Sequence, residues 1–233
     1  MKDAKVDTIE IEVIARIHTD FPSKFGIPRQ SGIVESLEGK IIFEPKFRSE
    51  AAVKGLENHS YLWLIWQFSE VVDQGWNPTV RPPRLGGNTR VGVFASRSPF
   101  RPNHLGLSSV KLKRIELDED LGPILYVSGV DIMDNTPIVD IKPYMPYADS
   151  HPEASTGIFE NVDKKKLKVH FPQELLDKVP EEKRDLMKEV LAEDPRPSYQ
   201  NDAQRIYGLS FAGRNVRFRV DEDELIVLEV EDL

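Results

Sequence analysis

The chain has no cysteine among its 233 residues. That excludes disulfides and thiolate metal sites, and it fits a reducing compartment. No apolar run approaches the roughly 18 residues that a membrane-spanning helix needs. The opening Met1-Lys2-Asp3-Ala4-Lys5 is not followed by the apolar stretch of a secretory signal, so a cytoplasmic location is expected. The five histidines, His18, His59, His104, His151 and His170, lie far apart without ligand spacing, and no metal is expected. No GxGxxG follows a strand and no GK[ST] phosphate loop is present; Gly86-Gly87 and Gly92 lack either spacing. No nucleophile motif supports a Ser-His-Asp set. Internal repeats and low-complexity tracts are also missing.

Acidic residues are locally absent as well. The chain carries a net charge of −8, yet residues 74–115 hold no Asp or Glu. The same stretch holds Arg81, Arg84, Arg90, Arg97, Arg101, Lys111, Lys113 and Arg114, so it is +8 against −16 for the remainder. A concentrated positive field inside an acidic protein suits a polyanion or an anionic ligand.

What is present reads as a mainly β fold. Residues 9–17 (IEIEVIARI) half-alternate and are rich in β-branched side chains. Segments 32–37 and 40–43 flank Glu38-Gly39, which predicts a hairpin. Residues 61–68 (YLWLIWQF) are continuously apolar and predict a strand buried on both faces, with Trp63 and Trp66 as barrel packing. Strands are also expected at 90–95, 105–117, 124–133 and 138–141, with one short helix at 50–56. Many strands with Gly/Pro turns predict an antiparallel β-barrel, whose closure removes exposed edges. After about Gly157 the texture changes. Helical segments at 173–178 and, behind Pro180, at 181–193 precede strands at 205–211, 215–220 and 224–231. The second helix carries one stripe of Leu186, Met187, Val190 and Leu191. The expected organisation is therefore a β-barrel domain over residues 8–157 and a small C-terminal α+β domain over 158–233. The latter is near the size limit for independent folding and is expected to lean on the barrel.

Four segments are too particular to be connectors. They are Pro28-Arg29-Gln30-Ser31-Gly32; residues 76–88 (WNPTVRPPRLGGN); residues 95–103 (ASRSPFRPN); and residues 129–137 (GVDIMDNTP) with Asp140-Ile141-Lys142-Pro143-Tyr144. Proline fixes φ, glycine permits close approach, and together they make stiff loops that hold guanidinium forks suited to carboxylate or phosphate. Trp76, in a polar loop, is read either as packing or as a stacking surface for a base. Lys164-Lys165-Lys166 reads as a solvated turn.

These segments, with Gly55-Leu56-Glu57 and Asp194-Pro195-Arg196-Pro197-Ser198-Tyr199, resemble the TsaA-like, or TrmO-type, tRNA methyltransferase family over nearly the whole chain. The resemblance implies a homodimeric barrel enzyme that takes S-adenosylmethionine as methyl donor. The implied acceptor is N6 of threonylcarbamoyl-adenosine beside the tRNA anticodon. It implies a cofactor pocket built from Pro28, Arg29, Gln30, Ser69, Glu70, Arg97, Leu107, Asp131, Ile132, Met133 and Asp134. At Ser69-Glu70 the chain departs from the His-Gln pair of other members, and at Asn103-His104 from the family's Asn-Pro. Arg29 or Arg97 could pair with the donor's carboxylate, and Asp131 or Asp134 with its ammonium or ribose hydroxyls. For the proton acceptor, Asp131, Asp140, His104 and Tyr144 stand as candidates. Arg81, Arg84, Arg101, Lys142 and Arg196 are expected to contact RNA. In a two-fold dimer the Asp194-to-Tyr199 segment is expected to approach the partner's pocket. Two other classes fit the residues less fully: a non-catalytic RNA- or nucleotide-binding barrel, and a barrel hydrolase acting on a small anion.

Overall fold

The computed structural model of the chain describes residues 8–82, 85, 89–160, 166–196 and 202–233. Twelve strands lie among them. They are β1 (Ala15–Thr19), β2 (Glu38–Phe43), β3 (Tyr61–Gln67), β4 (Thr79–Val80), β5 (Val91–Gly92) and β6 (Leu105–Asp118). Then follow β7 (Gly122–Ser128), β8 (Thr136–Pro143), β9 (Lys168–His170), β10 (Tyr207–Phe211), β11 (Arg214–Asp221) and β12 (Glu224–Asp232). Six of them close a barrel in the order β1-β2-β7-β6-β3-β8. Every pairing in that ring is antiparallel.

Alternation along the strands fills the barrel. Ala15 and Ile17, Ile41, Leu62 and Leu64, Val110, Leu125 and Val127, and Ile138 are buried, and along β1, β2, β3 and the first half of β6 they alternate with more exposed neighbours. Between β3 and β8 the register shifts at Ile65/Trp66, and between β6 and β7 at Leu112/Arg114. Such bulges sharpen strand bending, which a six-stranded closure demands.

Several expectations fail locally. The strand expected at 90–95 is only the two residues of β5, followed by a 3-10 turn at Val93–Ala95. The one expected at 124–133 ends at Ser128, where the chain leaves the sheet to cross the barrel mouth. The first strand starts only at Ala15, where its pairing with β2 ends at Phe43 and its pairing with β8 ends at Ile138; Ile9 and Ile11, before it, are exposed. The hairpin at Glu38-Gly39 does not form. Both residues lie inside β2, which pairs with β1 and β7, and residues 32–37 are turns. Gly39 serves close packing instead of a turn: a Cβ there would sit 3.0 Å from Ile17 Cδ1 and 3.1 Å from Val130 Cγ1. Finally, β3 is not buried on both faces. Leu62, Leu64 and Trp66 point inward, whereas Tyr61 is 42% exposed and Trp63 and Ile65 are half-buried on the outer face.

Beyond the barrel, β10, β11 and β12 form an antiparallel meander, and β9 adds to β12 in parallel. Positive φ at Ala212, Gly213 and Glu222 makes the two tight turns. The helix Arg184–Ala192 buries Met187, Val190 and Leu191 against this sheet, with Leu186 packed at the edge. Loop residues after β1 reach into the same core. The rings of Phe21 and Phe211 lie 4.8 Å apart, the Ala212 N–H donates to Asp20 O (3.0 Å), and Lys183 Nζ pairs with Asp20 Oδ2 at 2.5 Å. One continuous apolar cluster therefore spans barrel and C-terminal sheet. No helix among the described residues is long and apolar enough to cross a membrane.

Candidate active site

Antiparallel order fixes which loops meet. The end of β1, the start of β2, the ends of β3 and β7 and the starts of β6 and β8 lie at one mouth of the barrel. Three connections cross that mouth: residues 20–37, 68–104 and 129–135. The four stiff segments read from the sequence fall on these connections, apart from Asp140 to Tyr144, which continue along β8 away from the mouth.

Between the loops lies a cavity of about 690 Å³, within the usual range for a small-molecule site. Pro28, Arg29, Gln30, Ser69, Glu70, Arg97, Leu107, Asp131 and Met133 line it, and so does Arg101. Ile132 and Asp134 do not. The extended backbone of this loop alternates its side chains, so Asp131 and Met133 face the cavity. Ile132 is buried in the core, and Asp134 turns to β1, where its carboxylate accepts from Thr19 N–H (3.0 Å) and lies 3.2 Å from His18 Nδ1.

Hydrogen bonds knit the rim. The Gly32 N–H donates to Gly129 O (2.9 Å), and the Ser109 N–H to Ser31 Oγ (3.2 Å). The Arg97 guanidinium donates to Gln30 Oε1 across the opening, joining the first and second connections. Arg29 Nη2 reaches the carbonyl of Arg196 at 3.4 Å. The C-terminal domain thus touches the cavity rim of its own chain.

Asp131 is the cavity's half-buried carboxylate. Its Oδ1 accepts from Ser108 Oγ at 2.6 Å, and Ser108 Oγ accepts from Trp66 Nε1–H at 3.0 Å. Burial pushes the Asp131 carboxyl above its ordinary value. Hydrogen bonds from Ser108, from its own N–H and from Ser31 N–H, and the charge of Arg97, pull partly the other way. The floor beside it is apolar: Ile65, Leu107 (55% exposed), Met133 and Trp63. Trp63 is oriented by its indole N–H, which donates to Asp149 Oδ2 at 2.9 Å. A bond from Met145 N–H, and then this indole bond, hold the Asp149 carboxyl below its ordinary range.

The remaining site expectations land elsewhere. His104 is 8% exposed and is not among the lining residues; its Nδ1 lies 2.8 Å from Pro99 O and its N–H donates to Arg101 O. With φ at +49°, it occupies a conformation, and makes a backbone bond, that proline could not. Asp140 pairs with Lys142 (3.2 Å) on the outer face, and Tyr144 packs its ring on Tyr61 and Trp63 there. Of the expected RNA contacts, Arg81 is exposed on the β4–β5 arm and Lys142 is exposed on β8. Arg84 lies outside the described residues, as do Lys164 and Lys165. Arg101 donates to the carbonyls of Ser96 (3.0 Å) and Ser98 (3.4 Å), so its guanidinium holds its own loop. Arg196 is 8% exposed and grips Asp194 with two bonds of 2.8 and 3.0 Å. Its charge is paired with Asp194 inside the fold.

Lys24, Trp66, Ser96 and Phe100 line the cavity, and Ser108 stands directly behind Asp131; Ser96 and Phe100 fall in the 95–103 segment singled out from the sequence, but none of the five is named there as a site residue. A signal existed for Ser108. The alternation of β6 puts Gly106, Ser108 and Val110 inside, and a serine at a core strand position needs a polar partner.

Comparison with known proteins agrees along the chain. A profile described as the tRNA-methyltransferase O N-terminal domain matches residues 16–150, and one for the TrmO C-terminal domain matches 164–233. A protein of Escherichia coli (strain K12) named tRNA (adenine(37)-N6)-methyltransferase is 39% identical, over 97% of this chain and 99% of its own. A Pseudomonas aeruginosa protein named putative S-adenosylmethionine-dependent methyltransferase RcsF is 37% identical over 96% of this chain and 98% of its own. A crystal structure of TrmO from P. aeruginosa superposes with a TM-score of 0.79 at 30% identity, covering 98% of this chain and 99% of the other.

Proposed function

The chain belongs to the tRNA-methyltransferase O family, and from that premise we propose that it methylates adenine N6 at position 37 of tRNA with S-adenosylmethionine as donor. The acceptor we assign is the threonylcarbamoyl-modified adenosine. The observation that carries this reading is the gathering of nine family-type cofactor positions, from three separate connections and strand β6, around one cavity.

The cavity's chemistry fits the donor. When bound, S-adenosylmethionine supplies an electrophilic methyl group on a sulfonium cation. Arg29 and Arg97 offer guanidinium forks for its carboxylate, and Asp131 offers an anion for a cationic centre. Ile65, Leu107 and Met133 offer an apolar floor for its adenine. Ser69 and Glu70 stand exposed on the 3-10 turn Ser69–Gln74, where they can reach ribose hydroxyls.

The acceptor nitrogen has a delocalised lone pair, so transfer depends on holding it in line with the methyl–sulfur bond. A stiff wall achieves this: Ser96, Ser98 and Arg101 brace the 95–103 loop from within. Among the four candidate proton acceptors, Asp131 lines the cavity and the other three do not. RNA is held by exposed cations, Arg81 and Lys142 among them, outside the pocket, and the protein works in the cytoplasm as a homodimer. We divide it into a catalytic barrel over residues 8–157 and a C-terminal domain over 158–233. Calorimetry with S-adenosylmethionine tests the reading at its first step: micromolar or tighter binding is expected, and no binding would favour a non-catalytic RNA-binding barrel.

A further inference from the structure

Ser108 is 1% exposed and sits in β6 opposite Leu64, within the barrel wall. Two residues along the same ladder stands the Trp66–Gly106 pair. The indole ring of Trp66 lies so close over Gly106 that a Cβ there would stand 2.4 Å from Trp66 Cε2. Glycine is thus the residue that lets the ring lie against β6 and aim Nε1 at Ser108. An indole N–H can only donate. Ser108 Oγ must therefore accept it, which frees the single hydroxyl proton for Asp131 Oδ1 at 2.6 Å. The direction of the chain is fixed from its buried end, and it terminates on a carboxylate that faces the cavity.

We propose that Ser108 and Trp66 are positioning residues, which hold the Asp131 carboxylate as the fixed anion against which the cationic end of the methyl donor binds. This rests on the functional reading above. A hydrogen-bonded chain with one polarity stabilises the ionised carboxylate over the acid, because the acid would have to turn its own proton away from Ser108. It also locks the carboxylate's rotation, so less freedom is lost when a cation docks. The other charged groups on the cavity wall are Lys24 and Arg29 from the first connection, Glu70 after β3, and Arg97 and Arg101 before β6. Glu70 is exposed, Arg97 is engaged with Gln30 and Arg101 with its own loop, which leaves half-buried Asp131 as the more enclosed anion of the wall.

The experiment is calorimetric titration of the full-length protein with S-adenosylmethionine across a pH series. Wild type, Ser108→Ala, Trp66→Phe and Asp131→Asn are compared. In wild type, affinity falls as acid protonates Asp131. Ser108→Ala weakens binding at neutral pH by roughly tenfold, the value of one hydrogen bond to a charged group. It also moves the acid limb to higher pH, since the missing bond favoured the ionised form. Trp66→Phe keeps a ring over Gly106, acts in the same direction by less, and carries the test if Ser108→Ala does not fold. Asp131→Asn removes the limb, which separates it from any contribution of Glu70. Variants that fold like wild type and superimpose on its affinity–pH curve would overturn the positioning role. Wild type that binds no S-adenosylmethionine at any pH would instead overturn the functional reading itself.

Discussion

Arg97 and Asp131 show how two charges in one cavity receive different work. Arg97 is exposed and reaches across the mouth to Gln30. Under the proposed function, removing it takes away both a donor to the ligand and a tie between two loops. Arg97→Ala is expected to weaken S-adenosylmethionine binding by about 1.5–3 kcal/mol, as removal of a charge-assisted hydrogen bond does. Unchanged affinity in a calorimetric titration of folded protein would assign the donor's carboxylate to another group. Asp131 is half-buried, and desolvation is the largest influence on it, raising its carboxyl above the unfolded value. The sign of the stability effect follows. In the interval between the unfolded and folded values the native state holds more protons, so stability is greatest below that interval. It falls as pH rises through it and is constant above. Asp131→Asn should therefore abolish this local decline in a series of thermal melts from acid to neutral pH. A mutant curve parallel to wild type throughout would mean the carboxyl titrates normally.

At the scale of elements, two glycines give the barrel its close approaches. A Cβ on Gly39 would meet the flexible ends of Ile17 and Val130 at 3.0 and 3.1 Å, whereas one on Gly106 would enter the Trp66 ring at 2.4 Å. Side-chain tips can give way and an indole wedged in a barrel cannot. Gly106→Ala should accordingly destabilise by about 1–3 kcal/mol in urea unfolding, Gly39→Ala by less. Gly106→Ala should also weaken donor binding by displacing Trp66 from Ser108; equal costs for the two would show that the ring has room to move. The same elements show what a sequence discloses. Strand 105–117 is legible nearly to its ends because a long run carries a period-two signal, and so is the helix behind Pro180. Glu38-Gly39 mimics a hairpin because a glycine demanded by tertiary packing looks, in sequence, like one demanded by a turn. Three-residue β9 carries too few residues for any period. In the 129–135 loop the motif points four consecutive residues at the pocket. Backbone alternation then sorts them, keeping Asp131 and Met133 and sending Ile132 and Asp134 away. Arg101 and Arg196 are legible as important but not as internal: no local pattern tells a guanidinium that braces its own loop from one offered to phosphate.

For the whole molecule, the barrel supplies the cavity and the C-terminal domain buttresses one of its loops through Phe21, Asp20 and the Arg29–Arg196 bond. Phe211→Ala should then cost about 3–5 kcal/mol, as large-to-small changes of a buried phenylalanine do, and should loosen donor binding as well. An effect confined to stability would uncouple the domain from the site. The uneven charge of the chain belongs to this scale too. With Arg101 engaged internally, exposed Arg81 and Lys142 are the predicted phosphate partners. A double alanine variant should reduce the log–log salt slope of tRNA affinity by roughly 0.7–0.9 for each phosphate no longer neutralised, alike for every tRNA. Parallel slopes would move the RNA face elsewhere. The most direct test of methyl transfer itself is mass spectrometry of nucleosides from tRNA incubated with the purified protein and S-adenosylmethionine. The predicted result is a gain of one methyl group on threonylcarbamoyl-adenosine, absent without protein and strongly reduced with Asp131→Asn. Nucleosides unchanged in mass, from protein that binds both donor and tRNA, would contradict it.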